Sequence, residues 1–167
     1  MINKPIAIVI HHEGASNGFA SVNEYHRQKW KFISSLGFYA GYHYYISLDG
    51  TVHQARAENE EGAHCLGGWN RKSVGICLQG DTNVSQPTEE QIEALNLLIK
   101  GVQEMWVIPD SEIYGHSDLW PTECPGKNLY KILTEEKKIA YLQVQINRIR
   151  SLIAELLKWS AILTNKK

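Results

Sequence analysis

The hydrophobic positions in the first two thirds of the chain form short continuous runs separated by longer amphipathic segments. The run IAIVI at residues 6–10 is wholly apolar and mostly β-branched, which is typical of a strand buried on both faces. The strands YHYYIS and TVHQAR are predicted to form a hairpin, because the Asp49-Gly50 pair between them is a strong turn signal. SVGICLQG at residues 73–80 and SEIYGH at residues 111–116 are the remaining predicted strands.

Two amphipathic segments predict helices. In the first, Ser21 and Glu24 have the spacing of a capping box, and Gly37 is a natural stop. Its apolar residues at helical spacing are Tyr25, Trp30, Ile33 and Leu36. The second begins at Thr88, which forms a capping box with Gln91. Its predicted apolar face comprises Ile92, Leu95, Leu98, Ile99, Val102 and Met105.

The order of these elements is β-α-β-β-β-α-β-α, where the last element is a short helix over LYKIL at residues 129–133. This order favours an α/β domain with a mixed β-sheet flanked by helices. We expect this domain to span residues 1–134.

The hydrophobic pattern changes after residue 134, where apolar residues are separated alternately by three and four positions. This heptad repeat predicts an amphipathic helix over residues 135–167. The repeat comprises Ile139, Leu142, Ile146, Ile149, Ile153, Leu156 and Leu163, with Ser160 in the remaining slot. The stripe is widened by Val144, Leu152, Leu157 and Trp159. Three uses stay open for this helix: packing on its own domain, forming a homo-oligomer, or binding a membrane, the cell wall or another partner.

Composition excludes several classes of protein. The chain has 167 residues, 43% of them hydrophobic, and a formal net charge of -1, which suits one globular domain with a short appendage rather than a protein that coats nucleic acid. No apolar run is long enough to cross a bilayer, and the N-terminal stretch lacks the cleavage site of a signal peptide. Three cysteines, Cys65, Cys77 and Cys124, cannot all pair within the chain.

Histidines mark the ends of the first and last predicted strands. His11 and His116 occupy these positions, and Cys124 lies eight residues after His116 in a proline-framed loop. Strand ends that emerge at one edge of an α/β sheet bring distant residues together, and imidazole and thiolate are ligands that zinc prefers. Because side chains alternate along a strand, only one of His11 and His12 should reach such a site. The spacing alone leaves open whether these residues are ligands or ordinary strand-end residues.

Four motifs, in order, carry a resemblance to a known family: IVIHH, GYHYYISLDGTVHQAR, GAHCLGGWNRKSVGICLQG and GHSDLWPTECPG. Together they closely resemble the zinc-dependent N-acetylmuramoyl-L-alanine amidases of the type 2 family, which includes phage amidase endolysins and amidase-active peptidoglycan recognition proteins. The resemblance covers about residues 5–134. It implies a fold like that of the recognition proteins, one zinc ion per chain, and peptidoglycan as partner. The implied reaction is hydrolysis of the amide between the lactyl group of N-acetylmuramic acid and L-alanine.

The resemblance also assigns site residues. It implies that His11, His116 and Cys124 bind the zinc ion, and that Tyr42 is the catalytic tyrosine. Thr122 stands where phage enzymes often carry lysine and amidase-active recognition proteins carry threonine. Thr122 is therefore a catalytic candidate beside Tyr42 that could hydrogen-bond in the same region, and the resemblance leaves open which group stabilises the developing negative charge.

Substrate contacts are implied for the GAHCLGGWN motif. His64 and Asn70 match the family's substrate-cleft positions, and the neighbouring Trp69 and Arg71 are candidate contacts to sugar or stem peptide. His43 lies between aromatic residues and is expected to be a packed strand residue or a support for the site.

The expected function is therefore a zinc-dependent amidase, acting as the endolysin of a phage or prophage and held in the host cytoplasm before its release to the wall. One alternative is a recognition module that binds peptidoglycan without cutting it. Non-catalytic members of the family usually lack the ligand cysteine, whereas this chain keeps Cys124. Another alternative is a purely structural metal, which would require four protein ligands, and the implied set has three.

Overall fold

A computed structural model describes residues 4–164, apart from the side chains at positions 136–137, 140–141, 144, 156 and 158–164. The elements follow the predicted order and confirm the α/β class. They are β1 (Ala7–His12), α1 (Phe19–Trp30), β2 (Tyr44–Ile46), β3 (Val52–Gln54), β4 (Ser73–Leu78), α2 (Glu89–Trp106), β5 (Ile113–Gly115) and α3 (Lys127–Thr164).

The five strands form one mixed sheet in the order β3-β2-β4-β1-β5. β1 pairs in parallel with β4 on one side and with β5 on the other, and β2 also runs parallel to β4. Among the five described strands, β2 and β3 form the one antiparallel pair, and the turn of this hairpin contains Gly50 at a φ of 79°. All residues of β1 and β4 are buried, as their apolar runs predict. The carboxyl ends of β1, β2, β4 and β5 therefore emerge at the same edge of the sheet.

Helix α1 does not begin with the predicted capping box. It starts at Phe19 after Gly18, and no side chain caps its first turn. Ser21 consequently lies inside the helix. The Glu24 carboxylate instead accepts two hydrogen bonds of 2.7 Å from the Arg27 guanidinium, so a local ion pair replaces the predicted cap.

Helix α1 is also shorter than predicted. It ends at Trp30, because Lys31 adopts a left-handed conformation with a φ of 53°. Ile33 and Leu36 therefore lie in a loop, where they are exposed. Tertiary contacts override the helical periodicity here, since the hydroxyl of Ser34 donates to the backbone carbonyl that follows β3.

Helix α2 begins as predicted. Thr88 and Gln91 form a reciprocal capping box. The buried side chains of the helix are Gln91, Leu95, Ile99 and Val102. Met105 was predicted on the apolar face but is 71% exposed in the last turn.

Helix α3 runs without interruption from Lys127 to Thr164, so LYKIL belongs to its first turns rather than to a separate short helix. The chain divides into two compact units, Met1–Lys131 and Ile132–Lys167. In the second unit, the described heptad side chains are exposed, namely Ile139, Leu142, Ile146, Ile149 and Ile153. Five other residues of the predicted heptad stripe have side chains that the structure does not describe, namely Val144, Leu156, Trp159, Ser160 and Leu163. Separate roles for residues 1–134 and 135–167 stay a prediction.

Among the helices within residues 4–164, none combines the length and apolar character needed to cross a membrane.

Candidate metal centre

The two histidines that end β1 point to opposite faces of the sheet. Nδ1 of His12 accepts the backbone N–H of Thr82 over 3.1 Å and lies 3.7 Å from the Asp81 carboxylate. His11, only 1% exposed, packs instead against other histidines. Strand alternation thus separates the two rings, as expected.

His11, His116 and Cys124 come together at the edge of the sheet where β1 and β5 end. Because β1 and β5 pair in parallel with Ile10 opposite Gly115, the next residue of each strand carries a histidine to the same edge. The ring centroids of His11 and His116 are 4.5 Å apart, and Nδ1 of His11 lies 3.5 Å from Sγ of Cys124. One ligand atom from each residue lies within 4.8 Å of the others. Two imidazoles and a thiol at this separation fit the donor set that zinc prefers.

The loop that carries Cys124 is fixed to the sheet. The Thr82 hydroxyl, which follows β4, donates to the carbonyl of Pro125, and the Cys124–Pro125 peptide bond is cis. Within the loop, the hydroxyl of Thr122 accepts the backbone N–H of Cys124 over 3.2 Å. Thr122 is exposed and borders a shallow cavity that also contains Lys127. The structure therefore shows Thr122 as a local cap beside the thiol, and its catalytic role stays a prediction.

The electrostatics of the cluster suit a cation. Burial lowers the pKa of His11 well below its usual value, and His64 and His116 lower it further. Burial also lowers the pKa of His116. Both imidazoles are therefore neutral and offer a lone pair. Burial raises the pKa of the Cys124 thiol to about 12, and a cation bound between these donors would offset that penalty by stabilising the thiolate.

Tyr42 lies beside the cluster. Its ring centroid is 5.2 Å from that of His11, and the residue packs against the buried cluster of Val22, Tyr45 and Cys77. Burial raises the pKa of Tyr42 well above its usual value, so the phenol keeps its hydrogen and can donate it in a hydrogen bond.

Two cavities flank these residues. The first, of about 550 Å³, has among its lining Glu13, Tyr25, His26 and Tyr42. The second, of about 360 Å³, has among its lining Trp30, His64, Asn70, His116 and Trp120. Because Tyr42 borders the first cavity and His116 the second, the candidate metal centre lies between two open spaces.

Five residues of the GAHCLGGWN motif border the second cavity, and the two that were predicted to contact substrate, His64 and Asn70, both have structural contacts. Nδ1 of His64 lies 3.1 Å from Nε2 of His11. The Asn70 side-chain oxygen accepts the backbone N–H groups of His64 and Cys65, over 2.7 and 2.9 Å. Asn70 therefore shapes the loop that delivers His64 to the centre.

The structure does not bring Trp69 and Arg71 to the lining of that cavity. Trp69 packs 5.6 Å from the Tyr114 ring, and the Lys72 ammonium lies 3.8 Å from the centre of its indole. Arg71 pairs with Glu61 over 2.9 Å. A role for either residue in binding sugar or peptide stays a prediction.

Arg56 is a site residue that the sequence did not indicate. It is 1% exposed, and its guanidinium lies 4.3 Å from the centre of the Phe32 ring. It donates to three backbone carbonyls, those of Phe32, Ala40 and Glu61. The last two precede Tyr42 and His64, so one buried cation ties together the loops on both sides of the centre. A single arginine after a strand is normally exposed, so the sequence carried no signal of this role.

His43 is a packed residue within the site. Its Nδ1 accepts the backbone N–H of Gly75 over 3.0 Å, and its Nε2 donates to the Glu60 carbonyl over 3.1 Å. Both ring nitrogens are thus used by the backbone, and His53, further away, contacts the Ser47 hydroxyl.

Comparisons with known proteins agree with this geometry and confirm the resemblance carried by the four motifs. The family model for N-acetylmuramoyl-L-alanine amidase matches residues 2–127. Peptidoglycan-recognition protein SC2 of Drosophila melanogaster is 35% identical over 127 residues, which cover 73% of this chain and 68% of that protein.

Solved structures of amidases and peptidoglycan recognition proteins are also similar to this chain. The N-acetylmuramoyl-L-alanine amidase LysC from Clostridium intestinale superposes with a TM-score of 0.70 at 30% identity, over 81% of this chain and 87% of that one. Drosophila PGRP-LB superposes with a TM-score of 0.67 at 26% identity, over 79% and 81% of the two chains. The chain belongs to the N-acetylmuramoyl-L-alanine amidase family.

Proposed function

We propose that this protein is a zinc-dependent N-acetylmuramoyl-L-alanine amidase that hydrolyses the amide bond between the lactyl group of N-acetylmuramic acid and L-alanine in peptidoglycan. The observation that carries the proposal is the convergence of His11, His116 and Cys124, whose ligand atoms lie within 4.8 Å of one another. Three protein ligands are typical of catalytic zinc sites, whereas structural sites use four.

Different residues of the chain have different roles in the proposed reaction. When bound, zinc would supply Lewis acidity, which polarises the amide carbonyl and lowers the pKa of a water molecule. The two histidines and Cys124 would hold the ion. Tyr42, beside His11 and protonated, donates a hydrogen bond to the oxygen on which negative charge develops during attack on the amide.

A module that binds peptidoglycan without cutting it is the rival function. Relatives of known structure include recognition proteins whose ectodomain complex was solved with tracheal cytotoxin bound. Recognition alone requires neither a buried thiol beside two neutral imidazoles nor a tyrosine hydroxyl at that cluster. The presence of all four groups favours the enzyme.

The test uses the full chain and purified peptidoglycan. We expect release of N-terminal alanine that EDTA abolishes and zinc restores. Cys124→Ala should lose both the bound zinc and the activity, whereas His53→Gln, outside the ligand set, should keep both. Full activity in Cys124→Ala would overturn the ligand assignment, and wall binding without alanine release would support the recognition module.

We further propose that the enzyme is a phage or prophage endolysin, held in the host cytoplasm until a separate protein permeabilises the membrane. The likeness to the endolysin amidase LysCS from Clostridium intestinale supports this setting, at 30% identity and a TM-score of 0.70. Bacteria that express the chain should lyse only when a membrane-permeabilising agent is added. Lysis without that agent would contradict the proposal.

For the C-terminal helix, we propose a second copy of this chain as partner. Ile139, Ile146 and Ile153 occupy the first core position of the heptad, and Leu142 and Ile149 the second. β-branched residues at the first position and Leu at the second favour two parallel helices, whereas Ile at both positions, as around Ile149, favours three or four, so the pattern supports self-association of copies of this chain. These five described side chains are between 43% and 65% exposed, so association would remove a continuous apolar stripe from water.

A further inference from the structure

The two ring nitrogens of His11 face different neighbours. Nδ1 lies 3.5 Å from Sγ of Cys124, and Nε2 lies 3.1 Å from Nδ1 of His64. Nδ1 is therefore the nitrogen that can share a metal ion with the thiol. A neutral imidazole that binds a metal through one nitrogen carries its hydrogen on the other. Nε2 of His11 is then a hydrogen-bond donor, and Nδ1 of His64 is its acceptor.

The same reasoning fixes the hydrogen of His64. With a lone pair at Nδ1, the neutral ring carries its hydrogen on Nε2. That atom is buried, and no acceptor in the described part of the chain meets it at full hydrogen-bond geometry. The Ser73 backbone raises the pKa of His64, as a carbonyl oxygen beside a ring N–H does.

Packing holds the His64 ring in this orientation. It is 8% exposed and lies between two glycines, Gly62 and Gly75. A Cβ atom at either glycine would come within 2.5 Å of the ring. The ring therefore occupies space that is open only because both neighbours are glycines, and this packing restricts its orientation.

We propose that His64 is a positioning residue for the metal centre, which accepts the Nε2–H of His11 and thereby presents Nδ1 of His11 beside Cys124. This inference rests on the proposed zinc-dependent function. It gives the residue a task different from the substrate contact that the sequence implied. Partners of this kind fix the tautomer and orientation of a metal-binding imidazole, and their loss typically lowers metal affinity by about 10- to 100-fold.

The first test measures tautomers in the zinc-loaded full-length wild type, by two-dimensional ¹H–¹⁵N NMR of the histidine rings. We expect His11 to carry its hydrogen on Nε2 and to bind zinc through Nδ1, and His64 to carry its hydrogen on Nε2. A hydrogen on Nδ1 of His64 would overturn the proposal. No variant is needed, so this result stands if a substitution prevents folding.

The second test separates positioning from packing with three full-length variants. His64→Asn places an amide oxygen near the position of Nδ1 and should hold zinc within about threefold of wild type. His64→Phe fills the space without an acceptor, and its zinc affinity should fall by about 10- to 100-fold in a chelator competition. His53→Phe is the matched control and should keep wild-type affinity.

Thermal unfolding of each metal-free variant reports whether the fold is intact. A folded His64→Phe variant with wild-type zinc affinity would overturn the positioning role and leave the amidase proposal standing. Conversely, zinc-loaded wild type that fails to release alanine from peptidoglycan would overturn the amidase proposal, while the tautomers would still decide the role of His64.

Discussion

Nε of Arg56 donates a hydrogen bond of 2.7 Å to the backbone carbonyl of Ala40, two residues before Tyr42. The guanidinium is buried, and its surroundings are backbone carbonyls and the face of Phe32. Burial lowers the pKa of Arg56, and the charge of Glu60 opposes that effect. The loops on both sides of the candidate centre are thus held by a buried cation that is not one of the candidate ligands.

Arg56→Met should destabilise the fold severely. The substitution leaves the buried carbonyl of Ala40 and the partly buried carbonyls of Phe32 and Glu61 without their donor. A buried unsatisfied group costs about 1–3 kcal/mol and a partly buried one less, so we expect a loss of about 3 kcal/mol. Urea unfolding of the metal-free protein measures it. Arg71→Met is the control, since its exposed pair with Glu61 should change stability by less than about 1 kcal/mol. Equal effects in the two variants would contradict the interpretation.

Tyr42→Phe should lower kcat by about 100- to 1,000-fold, because it removes a single hydrogen-bond donor to the developing oxyanion. Zinc content and unfolding midpoint should stay at wild-type values, since the ring that packs against Tyr45 and Cys77 is kept. Tyr44→Phe removes a hydroxyl that binds Glu58 and should keep wild-type kcat. A Tyr42→Phe enzyme with undiminished kcat would exclude the hydroxyl from the reaction.

Two glycine-to-alanine substitutions should act in opposite directions. At Gly75 the new Cβ would lie 2.5 Å from the His64 ring, and such overpacking typically costs about 1–3 kcal/mol. At Gly101, inside helix α2, the Cβ meets nothing within 4 Å, and the gain should be about 0.5–1 kcal/mol. Urea unfolding measures the stability of both variants. Unchanged stability of Gly75→Ala would show that the His64 ring moves aside at little cost.

Stability of the metal-free protein should fall as the pH drops. Burial lowers the pKa of both His26 and His43 to about 4, whereas a histidine in the unfolded chain has a pKa of about 6.5. Below that value the unfolded state holds more protons, so the contribution is complete above about pH 6.5 and is lost progressively towards pH 4. His26→Asn retains an acceptor for the Gly41 N–H and should reduce the slope between pH 6.5 and 5 in urea titrations. An unchanged slope would contradict the assignment.

Ile146→Lys should dissociate the proposed assembly. The residue occupies a core position of the heptad, where a charge has no partner when two helices pack. Ser151→Lys places the same charge on the opposite face of the same helix and should leave association unchanged. Sedimentation of the full chain and both variants tests this, and a monomeric wild type would end the self-association proposal.

Local patterns predicted much of the framework. Apolar runs located β1 and β4, the Asp49-Gly50 pair located the hairpin, and strand alternation separated His11 from His12. In each case the structure is determined by interactions among residues close together in the chain, so it can be predicted from a single sequence.

Other features depended on contacts between distant segments. Helix α1 stops before Ile33 although the apolar spacing continues, because the following loop is held from outside the helix. The contact of His64 with His11 joins residues 53 positions apart, and no periodicity encodes it. Arg56 likewise acts on carbonyls up to 24 positions away. Such relationships arise only when the sheet has brought the loops together.

The place of β1 in the sheet has a consequence for synthesis of the protein. It precedes the other four described strands in the sequence, yet it lies between β4 and β5 and lacks a neighbour on one side until residues 113–115 have been made. His116 and Cys124 follow that last strand directly. Closure of the sheet and the convergence of His11, His116 and Cys124 therefore both wait until almost all of residues 1–131 have been translated.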